Sequence, residues 1–325
     1  MAHAQPVTRV VAPARSLSAA TRAAGVLAIL GAALAFATLG SLSGVAYRAG
    51  MGSPTFVTVR AMVGAALLVG MLARHPGSWV GLRSLPRHEQ LTLAAACTAN
   101  ACLNLVLFAA YGQMAVAMVL AIYFTYPMLV ALGSVALGRE RFTVCRSCGL
   151  ALSGAGLALV MGGQLAGAPL APLGILFAVA AAGCQAAYLV LSRASFTRVP
   201  AEQVTAMMLG GGAILAGAVA LAVDLPTGHL LVWVGSPSAW LAVLVAGALG
   251  AAAAKVWLLR GVRILGATRT AVLMLAEPVG GVILAAIVLG QGITLLEALG
   301  GLTILGAAIL VQRPAPGRAA PVVAT

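Results

Sequence analysis

Ten stretches of roughly 20 apolar residues, each long enough to cross a bilayer as a helix, follow one another along this chain. They lie at 24–46, 54–73, 91–110, 115–137, 144–162, 172–192, 202–223, 239–259, 268–289 and 294–312. In hydrocarbon no water is present to bond free backbone groups, so such stretches must form helices that satisfy their own amides. Composition agrees, with 62% hydrophobic and 8% charged residues among 325 and a mean hydropathy of +1.07. A soluble domain cannot bury that much apolar surface. The expected fold class is an all-α polytopic membrane protein with ten transmembrane helices.

The net charge of +13 suggests nucleic acid at first sight, but the basic residues are almost all arginines scattered between the apolar stretches. They read as orientation signals, because cytoplasmic loops are enriched in Lys and Arg. With the N-terminus inside, the inner segments hold 16 arginines and the outer loops hold only Arg48. The expected partners are therefore a lipid bilayer and a small solute, with no nucleic acid. The expected location is the inner (plasma) membrane, with a cytoplasmic tail at 1–23 and another at 313–325. The run 24–46 is too long for a signal-peptide core and shows no cleavage site, so it reads as a first helix that is kept.

Five cysteines form no disulfide framework. Cys145 and Cys148 make a CxxC, but no second pair or HxxxH follows, so they read as reduced structural thiols and no metal or cofactor is expected.

One position inside the apolar runs stands out. Thr270–Leu289, TAVLMLAEPVGGVILAAIVL, contains a single ionisable side chain, Glu277, followed by Pro278. A carboxyl group is expensive to hold in hydrocarbon and is expected to face protein or a wet cavity. Pro278 removes a backbone donor and is expected to bend the helix beside it. Gly280 and Gly281 share the face of Glu277, where Gly281-x-x-x-Ala285 lets a neighbour approach closely or leaves space for solute.

The chain also repeats itself. At an offset of 151, Tyr126-Pro127 falls on Glu277-Pro278, Leu137-Gly138 on Val288-Leu289, Glu140 on Gln291 and Gly149 on Gly300, while Gly25 falls on Gly174 at 149. Each half, 24–163 and 172–312, holds five apolar stretches. Five is odd, so the halves must insert in opposite orientations. Two inverted five-helix repeats are the architecture of secondary transporters, with the substrate site near midplane between them.

Two segments carry a resemblance to a known family. YFTYPMLVALGSVALGRERFTVCRSCGLALSGAGLALV and LLRGVRILGATRTAVLMLAEPVGGVILAAIVLGQGITLLEALGGLTILGAAILV each resemble the end of an EamA-like repeat, of the drug/metabolite transporter superfamily. SPTFVTVRAMVGAALL looks like that family's second helix, with its arginine at Arg60. The resemblance covers about 24–312 and implies a ten-helix inner-membrane carrier, most often an exporter of small metabolites. Two departures mark it: Arg139 interrupts the Leu-Gly-Glu that usually closes the fourth helix, and Gln291 stands where the family usually has Glu. The glutamate used in the first helix by the small multidrug-resistance branch is absent from 24–46.

Polar residues recur at helical spacing within the apolar runs. Cys97, Asn100, Asn104 and Tyr111 share a face of the third stretch; Tyr123 and Tyr126 pair beside Pro127; Gln185, Tyr188 and Ser192 form a stripe on the sixth; Thr38 and Ser41 do so on the first. Singly, each reads as interhelical glue; together they read as the lining of a central polar cavity suited to an amphiphilic solute. Lys255, the one lysine, either snorkels to the cytoplasmic interface or pairs with Glu277 or a substrate carboxylate. Arg60 either snorkels outward or anchors an anionic group. Glu297 is expected at the outer interface.

No phosphate loop, metal quartet or nucleophile–base pair suggests an enzyme. The reading is a secondary transporter that exports a small amphiphilic metabolite, such as an amino acid, by alternating access, with a proton carried by Glu277 as coupling ion. The alternatives are a broad-specificity drug exporter and a non-transporting scaffold or subunit. Oligomeric state is open. The charge asymmetry is checked by single cysteines in a cysteine-free background. A membrane-impermeant maleimide added outside should label His229→Cys and spare Arg141→Cys; labelling of the latter refutes the orientation.

Overall fold

The computed structural model describes residues 18–75, 77, 79–114, 116–137, 144–165, 171–193, 196–289 and 294–312. Their regular structure is helical. Ala19–Ala37 (α1) and Leu39–Arg48 (α2) form one bent unit, followed by Ser53–Ala73 (α3) and Arg87–Tyr111 (α4). Val116–Tyr123 (α5) and Tyr126–Ala136 (α6) share the next stretch, and Val144–Leu165 (α7) ends the first half. The second half holds Pro172–Ser192 (α8), Ala201–Val223 (α9), Pro237–Val245 (α10), Ala254–Leu265 (α11), Ala267–Leu273 (α12), Ala276–Leu289 (α13) and Leu295–Gln312 (α14). Among the described residues, 7 helical units are long and apolar enough to cross a membrane: 19–48, 53–73, 87–111, 118–136, 172–192, 201–223 and 237–265. The other three expected stretches are helical too. Two contain shorter apolar cores, Ser147–Val160 and Leu295–Leu310, and the third is divided between α12 and α13. The first helix starts at Ala19, where Ser18 Oγ accepts the amide of Thr21 at 3.1 Å, so residues 19–23 belong to the helix rather than to the tail.

The expected bend at Pro278 falls earlier. The chain turns at Met274 and Leu275, which puts Glu277 and Pro278 in the first turn of α13. The first half turns likewise at Phe124 and Thr125, leaving Tyr126 and Pro127 to open α6. The reason is that proline's missing amide costs nothing in a helix's first turn, where it has no intrahelical partner. A third irregularity, which no proline marks, is the π-helical run Ala246–Ala253 between α10 and α11. It consists only of Ala, Gly and one Leu, and it packs tightly: a Cβ on Gly247 would lie 2.6 Å from Val63.

The two halves exchange partners. α1 packs on α11, and α8 packs on α4. Gly25 lies against Ile264 and Leu265, while Gly174 lies against Gln113 and Met114, so the contacted residues are themselves repeat equivalents. α3 lies along α9, and α7 along α14. Both ends of the α3–α9 pair are tied. Buried Asp224, after α9, accepts the Thr55 amide at 2.9 Å and its hydroxyl at 2.6 Å, capping the start of α3. At the other end, Gln203 accepts the Val80 amide at 2.9 Å and donates to its carbonyl at 2.8 Å.

Gly156 and Gly300 meet where α7 crosses α14. A Cβ on Gly300 would lie 2.7 Å from the Gly156 carbonyl oxygen, and one on Gly156 would lie 2.9 Å from that of Gly300. Both obstacles are backbone, so they cannot yield as a side chain would. Gly300→Val should therefore lower the melting temperature of detergent-purified protein, at a cost of about 1–3 kcal/mol. Gly306→Ala, whose Cβ would meet nothing within 4 Å, should melt as the wild type or slightly higher, because alanine is the better helix former.

Candidate functional site

Arg60 and Lys255 both lie inside the protein, 3% and 5% exposed, so neither snorkels to an interface. Each is held by an amide of α4. Arg60 donates through Nη2 to Asn104 Oδ1 at 2.5 Å, and Lys255 donates through Nζ to Asn100 Oδ1 at 2.5 Å. Asn104 in turn donates through Nδ2 to the Asn100 carbonyl oxygen at 2.6 Å. The spacing of four residues explains this: the two amides are one helical turn apart on one face, about 6 Å along the axis. Bonds to charged groups of this kind contribute about 1.5–3 kcal/mol each. Aromatic faces add to the support. The Arg60 guanidinium lies 4.9 Å from the Phe108 ring centre and 5.8 Å from that of Phe56, one turn earlier on its own helix. Lys255 Nζ lies 5.9 Å from the Phe36 ring centre.

Glu277 is half-buried, and it is followed by the buried Pro278. Its place in the first turn of α13 sets it at the positive end of the helix dipole. Lys255 lies within its electrostatic reach, and so do Tyr111, Tyr123 and Tyr126. Among the described residues Glu277 and Lys255 form no ion pair; the lysine is on Asn100 instead. Tyr123 and Tyr126 are buried with ring centres 5.2 Å apart, and the Tyr126 hydroxyl has no hydrogen-bond partner among the described residues. Beside Arg60 a narrow crevice of about 10 Å³, room for about one water molecule, opens between α3, α4 and α9, lined by Arg60, Asn100, Asn104, Met208, Leu209 and Gly212.

The remaining stripes separate from this centre. Gln185 and Tyr188 are buried on α8, but the polar neighbours of Tyr188 are Arg263, Cys97 and Ser192. Ser41 is exposed, and the Thr38 hydroxyl returns to the Ala35 carbonyl at 2.7 Å, so the first-helix pair does not line the interior. That back-bond accompanies the bend between α1 and α2. Gly280, not Gly281, makes the close contact, with its Cβ position 3.0 Å from Leu34, while Gly281 has open space within 4 Å. Glu297 closes a capping box with Thr294, accepting its amide at 2.9 Å. Glu140, Arg139 and Gln291 lie outside the described residues, as do the side chains of Cys145 and Ala285; Cys148 is exposed. The Asp224 and Gln203 ties and the π-helical run are absent from the sequence reading. A lone acid and a lone amide at helix ends were the available signals for the ties.

An all-helical bundle with an apolar exterior and ionisable groups gathered inside is the build of a multi-pass membrane protein with a polar interior. The chain belongs to the EamA-like transporter family, whose sequence profile matches it twice, over residues 23–162 and 172–313. This places it in the drug/metabolite transporter superfamily and makes it two copies of one family unit. A solved structure, described only as a crystal structure of a protein, is 22% identical and superposes with a TM-score of 0.74 over 90% of this chain and 98% of its own. That likeness concerns the fold. No curated protein matches the chain.

The geometry separates two kinds of polar residue. Tyr126→Phe removes a hydroxyl that bonds to nothing described and should leave the melting temperature unchanged. Asn104→Ala strips a buried guanidinium of its acceptor, costs about 1–3 kcal/mol and should melt lower. Melting curves of the purified variants decide; destabilised Tyr126→Phe would make that hydroxyl structural glue.

Proposed function

We propose that the protein is a secondary active transporter that exports a small amphiphilic metabolite, an amino acid or a related compound, by alternating access in exchange for protons. It crosses the inner (plasma) membrane ten times as two inverted five-helix repeats, with both termini in the cytoplasm. Family membership and the exchanged packing of the halves support this reading. The observation that carries it is the set of interior charges: Arg60 and Lys255 on amides, with Glu277 within electrostatic reach of Lys255 and of three tyrosines. Such a set matches a solute with acidic, basic and apolar parts, and a scaffold has no use for it.

In this mechanism Glu277 takes a proton when its surroundings open outward and gives it up when they open inward. Its place beside the break at Met274–Leu275 lets a change in helix angle move it between the two environments. Lys255 has two partners available, Asn100 and Glu277. Moving from the amide to the carboxylate offsets the charge that deprotonation creates. The solute and the proton therefore compete for one neighbourhood, which is what antiport needs.

Glu277→Gln keeps the shape and removes the charge. In proteoliposomes this variant should lose solute accumulation driven by a pH gradient and keep exchange down equal solute gradients. Uphill transport at the wild-type rate, with unaltered pH dependence, would give Glu277 a structural role and remove the proton step from the mechanism.

A further inference from the structure

We infer that Arg60 is the anchor for the anionic group of the solute, a single carboxylate borne on an apolar body, which enters the crevice between α3, α4 and α9. The inference rests on the transport reading above and names the chemistry of its substrate.

A guanidinium has five donors in a planar fork. Arg60 spends one on Asn104, and its Nε is buried with no partner among the described residues. No carboxylate lies within ion-pair distance of it there, and Lys255 is likewise on a neutral amide. Removing a charge from water is repaid only by a counter-charge or a full set of hydrogen bonds, and Arg60 has neither. Asp224, the other buried acid among the described residues, is engaged by the Thr55 amide and hydroxyl rather than by Arg60. A carboxylate fits the fork with two parallel bonds, which an ammonium partner cannot offer.

The crevice shows where it would come from. Arg60 lines it, whereas Lys255 does not, and its other walls include Val57, Ala61, Met208 and Leu209, which suit an apolar body. On α9, Gly210, Gly211 and Gly212 have nothing within 4 Å of their Cβ positions, so this flank is open. Asn104 then acts as a placeholder: its amide occupies the guanidinium until a carboxylate displaces it.

The test uses the full chain in nanodiscs and two matched probes, 4-methylpentanoate and the isosteric 4-methylpentanamide, with the melting temperature as readout. The carboxylate should raise it and the amide should not, with at least a tenfold difference in apparent affinity. Arg60→Gln should abolish the difference. Gly212→Leu, which fills the crevice from a position with free space, should fold as the wild type and abolish it too, and this variant decides if Arg60→Gln does not fold. Equal responses to the two probes, no response to either, or a difference that survives in the variants would overturn the anchor. Such a result leaves the transport reading intact, because proton-driven accumulation and its loss in Glu277→Gln are measured without Arg60.

Discussion

Two side-chain amides, one turn apart on α4, hold the two buried cations among the described residues. A charge in an apolar interior must find a partner or be expelled, and here the partners are Asn104 for Arg60 and Asn100 for Lys255. The arrangement joins α3, α4 and α11, so it ties the first half of the chain to the second at their common centre. An amide is a weaker partner for a cation than a carboxylate. The ladder is thus firm enough to keep the charges inside and weak enough to be exchanged for a better acceptor.

The scaffold around that centre is built from contacts that do not exchange. Gly156 against Gly300 brings two backbones so close that no side chain fits between them, while Gly25 makes room for the side chains of Ile264 and Leu265, and Gly174 for those of Gln113 and Met114. Without a hydrophobic force between helices in lipid, such close packing supplies much of the cohesion. Asp224 and Gln203 fasten the two ends of the α3–α9 pair. Against these fixed contacts stand the turns at Phe124–Thr125 and Met274–Leu275 and the π-helical run before Lys255. The rigid contacts thus lie at crossings and ends. The irregular backbone lies next to the charged residues, where an altered angle has most effect.

The residues of the centre come from both family units, and neither unit contains it alone. Arg60, Asn100, Asn104, Tyr123 and Tyr126 belong to 23–162, while Lys255 and Glu277 belong to 172–313. The duplication explains the twofold plan, and the divergence explains the chemistry. Tyr126 and Glu277 stand at equivalent places before a proline, yet one is a hydroxyl and the other a carboxyl.

The sequence by itself determined the class, the helical stretches, the duplication and the family, because hydropathy over 20 residues and an offset of 151 are properties of the chain read in one dimension. It also nominated Arg60, Asn100, Asn104, Lys255, Tyr126 and Glu277, since polar groups in apolar runs are costly wherever the helices lie. Only the tertiary structure decided their partners. Whether Lys255 meets Glu277, water or an amide depends on which helix face turns toward which neighbour, and the period of a single helix carries no information about that. It likewise sent Ser41 outward, set Tyr188 near Arg263, Cys97 and Ser192, and moved the bend from Pro278 to Met274–Leu275. A residue pays or recovers the cost of its polarity in three dimensions, through atoms that lie dozens to hundreds of positions away in the chain.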